Sequence, residues 1–132
     1  MARRLEGQSI LVVEDQPLIA LDIQQALEDA GAKVTATTTL SEGLALVENE
    51  DLSGAILDHG LGDGDSSPLC ERLKQRAVPF LIYSGFGAVG GACEGAPHLT
   101  KPATDAQLVT AMTGLIGRLV VGDPPNWGSR PT

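Results

Sequence analysis

Positive charge is what this chain has little of: nine Lys and Arg face 17 Asp and Glu, a formal net charge of −8. Contact with nucleic-acid or lipid phosphates needs clustered cations, so the balance argues against both partner classes. Aromatic residues are equally scarce, with two Phe, one Tyr and one Trp. A core must therefore be assembled from Leu, Ile, Val and Ala. No apolar run approaches the ~20 residues of a membrane span, and the N-terminus lacks the charged-then-apolar layout of a secretion signal. Cys70 and Cys93 form no CxxC pair, and without a secretion signal they are expected as reduced thiols, Cys70 buried among apolar neighbours. A soluble cytoplasmic protein is the expectation.

What is present is an alternation of short apolar runs with amphipathic stretches, in a chain of 132 residues that suits one domain. Ser9 to Glu14 reads as a strand buried on both faces. Pro17 suits a first helical position, and Ile19, Ile23, Ala26, Leu27 and Ala30 recur at helical spacing before Gly31 stops the helix. Lys33 to Thr37 is a weaker strand, expected toward an edge. Thr39 with Glu42 forms a capping box for a second helix. A third strand runs from Ala55 to Asp58, and Ser67 with Pro68 opens a third helix.

Pro79 to Tyr83 makes a fourth strand and His98 to Thr100 a fifth. Between them, Gly85 to Thr100 is too rich in glycine for a good helix, each costing about 1 kcal/mol against alanine, so a fourth helix is expected short or remodelled. Thr104 and Gln107 form a second capping box before a final helix carrying Leu108, Met112, Leu115, Ile116 and Leu119. The domain is expected over 6–121. Residues 122–132, polar and Gly/Pro-rich around Trp127, read as a disordered tail.

Five such units fit an α/β fold with a doubly wound, five-stranded parallel sheet of order 2-1-3-4-5. That order collects Glu14, Asp15, Asp58, Ser84 and Lys101 on one rim, each at a strand end. Carboxylates about 4 Å apart repel by roughly 1 kcal/mol in water and about 4 at an effective dielectric near 20. A divalent cation removes that penalty. All-oxygen ligands point to Mg²⁺ ahead of Zn²⁺, which would want His or Cys. A carboxylate can also attack phosphorus, given a cation, a fixed positive charge and a hydroxyl nearby. Lys101 supplies the charge and Ser84 the hydroxyl. Singly, each residue has a plainer role: Asp58 as a turn cap, Ser84 as a turn former, Lys101 as a solvated lysine. Together they match reversible phosphorylation of Asp58.

Leu11-Val12-Val13-Glu14-Asp15, Ala55-Ile56-Leu57-Asp58, Tyr83-Ser84-Gly85 and Lys101-Pro102 resemble, in this order, the receiver (CheY-like) domains of two-component response regulators, over about residues 8 to 120. The resemblance implies Asp58 as phosphoacceptor and Mg²⁺ held by Glu14, Asp15, Asp58 and the backbone carbonyl of Gly60. It implies Ser84 and Lys101 on the phosphoryl oxygens and a Lys101–Pro102 bond that is commonly cis. Where receivers place an aromatic switch residue, three positions before the lysine, this chain has His98. Pro79-Phe80-Leu81-Ile82-Tyr83-Ser84-Gly85-Phe86 resembles the "FAT GUY" branch of stand-alone receivers, with Ser84 and Phe86 replacing its Thr and Tyr. That branch implies an atypical fourth helix and a histidine kinase of the HWE or a related class as donor.

The expected function is that of a single-domain receiver, phosphorylated by a histidine kinase or a phosphotransfer protein and then switching a contact with a downstream protein or relaying phosphate. It is not a turnover enzyme beyond slow self-dephosphorylation. A pseudo-receiver used only for docking is the alternative. A phosphohydrolase fits worse, because Gly60 stands where such an enzyme needs a general acid, two positions after Asp58.

Overall fold

The structure is a computed structural model that describes residues 4–58, 60–61, 64–85, 93 and 96–120, with the backbone alone at 60, 65 and 118–120. The run Ser-Ile-Leu-Val-Val forms β1 (Ser9–Val13), which lies between β2 (Lys33–Thr37) and β3 (Gly54–Leu57). Next come β6 (Phe80–Ser84) and β7 (His98–Thr100), giving a parallel sheet in the order β2-β1-β3-β6-β7. Counted by sheet strands alone this is the expected 2-1-3-4-5. The weaker strand, β2, is indeed an edge. Two further short strands, β4 (Gly60–Leu61) and β5 (Gly64–Asp65), pair antiparallel in what the sequence reads only as a loop.

Side chains of a strand alternate between faces, and the core divides accordingly. Ile10, Val12, Ile56, Leu81 and Tyr83 point to one side, where they meet α1 (Pro17–Asp29) and α4 (Asp105–Val120) through Ile23, Leu27, Leu108 and Met112. Leu11, Val13, Leu57, Phe80 and Ile82 point to the other, toward α2 (Leu40–Asn49) and α3 (Ser67–Gln75) through Val47, Leu69 and Leu73. Both faces of β1, β3 and β6 are thus covered, which is why these runs are apolar throughout. Phe80 is the one large aromatic of the second cluster and is fully buried. Leu5 is buried too, its N–H donating to the Ala30 carbonyl at 2.9 Å, so the core reaches ahead of the expected boundary at residue 6.

The helix ends show where local chemistry decided the outcome. α1 begins at Pro17 and stops before Gly31, whose φ of 103° disfavours a side chain and where a Cβ would come within 3.0 Å of the Glu6 backbone. At α4 the capping box is reciprocal: the Gln107 N–H donates to Thr104 Oγ1 at 3.1 Å, and the Thr104 N–H to Gln107 Oε1 at 2.8 Å. At α2 it is half formed. Thr39 accepts from the Glu42 N–H, but the Glu42 carboxylate takes the hydroxyl of Thr37 instead of returning to Thr39. α3 starts at Ser67, with Ser66 as the flanking residue, one position earlier than expected.

One expectation is overturned. Cys70 and Cys93 are joined in a disulfide, with Cα atoms 5.2 Å apart, and are not free thiols. They lie 23 positions apart, so spacing carries no signal, but α3 and the lead-in to β7 share one face of the sheet. That brings the two Cα atoms within disulfide range. The expectation for the fourth helix falls largely on residues 86–92 and 94–95, and that for the tail on 122–132; both lie outside the described residues. Among the described residues no helix is long and apolar enough to cross a membrane. Thr104→Ala should remove one arm of the α4 capping box and lower stability by about 1 kcal/mol in urea denaturation.

Candidate functional site

Three of the strands that end at the site, β1, β3 and β7, continue their hydrogen-bond ladders by one residue, and that residue is a candidate. The Glu14 N–H donates to the Thr37 carbonyl at 3.0 Å, that of Asp58 to Val13 at 2.8 Å, and that of Lys101 to Ser84 at 2.9 Å. The sheet therefore fixes the backbone of Glu14 beyond β1, Asp58 beyond β3 and Lys101 beyond β7. Placement follows from strand order alone. The carboxylates of Glu14, Asp15 and Asp58 offer oxygens within 4.8 Å of one another. Glu14 and Asp58 are buried, while Asp15 is exposed and opens the group to water.

Lys101 closes the group from the opposite side. Its Nζ lies 2.9 Å from Glu14 Oε1 and 3.6 Å from Asp58 Oδ2. The ammonium also sits over the Tyr83 ring, 5.5 Å from its centroid, within the range of a cation–π contact. Tyr83 is held in turn by its hydroxyl, which accepts the Ala103 N–H at 2.9 Å. The Lys101–Pro102 peptide is cis. Glu14 Oε2 accepts the Gln16 N–H at 3.3 Å; Oε1 faces Lys101 at ion-pair distance without an aligned hydrogen bond.

The electrostatics follow from burial. Burial pushes the Glu14 carboxyl up to about 7; Lys101 pulls it down and the neighbouring Asp58 charge pushes it further up. For Lys101, burial works against the ammonium, but the ion pair with Glu14 and the nearby charge of Asp58 outweigh it and raise its pKa. Glu14 is thus held partly protonated chiefly by burial, with Asp58 adding to the effect and Lys101 opposing it. Hard oxygen donors, one of them a buried carboxylate oxygen with no hydrogen bond, fit a cation such as Mg²⁺.

The other expected residues sit as follows. Ser84 ends β6, beside β3, and is buried. Gly60 begins β4, two residues past Asp58. His98 is on β7 opposite Ile82, half-buried, and its Nε2 has no hydrogen-bond partner. Two contributors escape the sequence reading. Tyr83, read there as a strand and motif residue without a role of its own, supplies the platform for Lys101; its place next to Ser84 was its signal. Ser66, buried, donates its hydroxyl to the Asp58 carbonyl and ties the start of α3 to Asp58. Nothing in Ser66-Ser67-Pro68 distinguishes the first serine from the second.

Comparison with known proteins agrees with this geometry. The family model described as the response regulator receiver domain matches residues 10–113. The transcriptional regulatory protein TcrA of Mycobacterium tuberculosis is 31% identical over 92% of this chain and 51% of its own length. The chain thus spans about half the length of that relative. A CheY-like response regulator receiver domain protein from Methanospirillum hungatei JF-1 superposes with a TM-score of 0.79 at 26% identity, covering 89% of this chain and 98% of the other. The receiver domain of the sensor histidine kinase PA1611 from Pseudomonas aeruginosa, solved with magnesium coordinated in its active-site cleft, has the same fold, with a TM-score of 0.76 at 24% identity over 84% and 98%.

The raised Glu14 pKa sets a pH dependence for the cation-free protein. Between 4.5 and about 7 the unfolded chain has lost this proton and the folded chain keeps it, so folding takes up a proton. Stability should fall as pH rises through that window, by at most about 1.4 kcal/mol per unit, and level off above it. Urea titrations in EDTA across the window should show this slope, and Glu14→Gln should flatten it. An unchanged slope in the variant would assign it to another group.

Proposed function

The chain belongs to the response regulator receiver domain family, and from that membership we propose that Asp58 accepts a phosphoryl group from a histidine kinase or a phosphotransfer protein. The observation that carries this reading is Lys101 Nζ at 2.9 Å from Glu14 and 3.6 Å from Asp58, where the ends of β1, β3 and β7 meet. An Asp58 oxygen attacks the phosphorus of a phosphohistidine; the P–N bond breaks and the imidazole leaves with its electron pair. Lys101 then turns from Glu14 toward the new phosphoryl oxygens, and the Ser84 hydroxyl donates to another. Glu14, Asp15, Asp58 and the Gly60 carbonyl would hold Mg²⁺, which when bound supplies positive charge to the transferring group. The product is a mixed anhydride that decays slowly by hydrolysis, so the chain acts as an acceptor with little turnover.

The exposed face of α1 supports the partner class. Leu18 and Leu21 are 78% and 54% exposed, one turn beyond Glu14 and Asp15. Beside them a cavity of about 320 Å³, lined by Ile19, Asp22, Tyr83, Lys101, Pro102 and Leu108 among others, runs to the base of the site. A donor presenting an apolar helix there brings its histidine to the mouth held open by Asp15. We further place the chain in the "FAT GUY" branch, on the segment Pro79 to Phe86, with an HWE-type kinase as donor and a stand-alone architecture. The stand-alone part rests on that segment and not on where the chain ends. Work beside an ATP-fed kinase implies a cytoplasmic location. His98 is assigned the switch position by its place three residues before Lys101.

Incubation with acetyl phosphate and Mg²⁺ should attach one phosphate, labile to hydroxylamine, and Asp58→Asn or EDTA should abolish it. Label that persists in Asp58→Asn would remove the assignment, and label released in rapid multiple turnover would make the protein a phosphatase. Leu18→Glu with Leu21→Glu should slow transfer from a kinase far more than labelling by acetyl phosphate, by about tenfold or greater. Equal slowing of both would place the docking surface elsewhere.

A further inference from the structure

We propose that Cys70 and Cys93 form a redox latch that fixes the lead-in to β7 onto α3, and that its state sets how readily the site takes up a phosphoryl group. The inference rests on the receiver reading above. Cys93 is three residues before Ala96, whose N–H donates to the Cys93 carbonyl at 3.1 Å, and Pro97 then accepts the Ile82 N–H at 2.9 Å. From there the chain enters β7 and reaches Lys101. Cys70 is at the other end of the link. Its N–H donates to the Ser66 carbonyl at 2.9 Å, and the Ser66 hydroxyl donates to the carbonyl of Asp58. The covalent bond therefore joins, through one turn of helix, the backbone of the acceptor to the backbone that delivers the lysine.

The ring it closes joins residues 23 positions apart and contains Ser84. Five of the eleven residues from 85 to 95 are glycine, a composition that costs the most entropy to hold in one arrangement. Cutting the bond releases the lead-in to β7 from α3 at a point eight residues before Lys101. In the latched state Lys101 rests nearer Glu14 than Asp58, and phosphoryl capture needs it to move the other way. The intact bond opposes that movement.

The bond is suited to change state. Where ATP-dependent kinases work, thiols are kept reduced, and disulfides that form there are transient or sensing. Both cysteines are fully buried in the cluster of Leu57, Leu69, Leu73 and Phe80, so exchange requires the lead-in to lift from α3. Opening and redox state are then linked in both directions. The oxidant is a small-molecule disulfide such as glutathione disulfide. One cysteine thiolate attacks it, giving a mixed disulfide and one glutathione thiol; the second cysteine displaces the other. Two protein thiols and one glutathione disulfide yield the Cys70–Cys93 bond and two glutathione thiols, with two electrons moved from protein to glutathione.

The test uses the full chain, oxidised with glutathione disulfide or reduced with dithiothreitol, with thiols counted under denaturing conditions. Beryllofluoride with Mg²⁺, a phosphoryl mimic, is titrated calorimetrically into each. The oxidised protein should show no thiols and bind about tenfold more weakly than the reduced one, an ordinary size for coupling between sites. Cys70→Ala with Cys93→Ala should bind like the reduced form under both treatments; should that variant not fold, the wild-type pair of states still decides. Hydrogen exchange at the Ile82 and Ala96 amides, without the mimic, should quicken on reduction. Two free thiols after oxidation overturn the latch. Equal binding in both states overturns it and leaves the receiver reading standing. No binding in either state overturns the receiver reading and the latch with it.

Discussion

Repulsion among Glu14, Asp15 and Asp58 is the constraint on which the rest of the molecule depends. The ladders of β1 and β3 run one residue past the strands and hold the Glu14 and Asp58 backbones whether or not their charges are balanced. Side chains that cannot retreat must find a counter-charge or a proton. The structure uses both: Lys101 reaches Glu14 and Asp58, and burial keeps a proton on Glu14 to near neutral pH. Such a site is held ready for a cation, because the sheet has already met the unfavourable cost of bringing the ligands together.

The two charges are not anchored alike. Glu14 and Asp58 follow central strands covered on both faces, where displacement would disturb the packing of Val13, Leu57 and their neighbours. Lys101 follows β7, an edge strand of three residues whose burial is only partial. An edge strand gives up fewer hydrogen bonds and less apolar contact when it shifts. The carboxylate side of the site is therefore rigid and the cation-bearing side adjustable. On the proposed reading a phosphoryl group of about −1.5 to −2 charge would replace the single charge of the Asp58 carboxylate, and the element best able to answer is the one least firmly held.

Much of this was readable from residue order. Apolar runs ending in Glu14-Asp15, Asp58 and Lys101 identify strands whose C-terminal ends share one rim, because a parallel sheet with crossover helices leaves few other arrangements. The edge position of β2 was expected from its weakness as a strand. What was not readable depends on approach between distant segments. The Glu42 carboxylate chose the Thr37 hydroxyl over its own helix end, which spacing within α2 does not report. Ser66 and Ser67 are chemically equal, and only the position of the Asp58 carbonyl separates them. β4 and β5 are too short for any period to register.

The cysteine pair belongs with Ser66 in that second group, and the two meet on α3. Periodicity assigns Cys70 to the buried face of a helix, correctly, and says nothing of what else reaches that face. Composition said reduced thiols, because the argument from compartment describes the average fate of a cysteine and not a pair brought within 5.2 Å by the fold. α3 and its flanking Ser66 then hold two attachments one turn apart: a hydroxyl on the Asp58 carbonyl and a sulfur on the lead-in to β7. A helix that short transmits displacement nearly as a rigid body, so movement at either attachment is felt at the other. The rigid carboxylate side and the adjustable lysine are joined on one side by an ion pair and on the other by this helix. The ion pair answers to charge and the helix to redox state, and both act on where Lys101 rests.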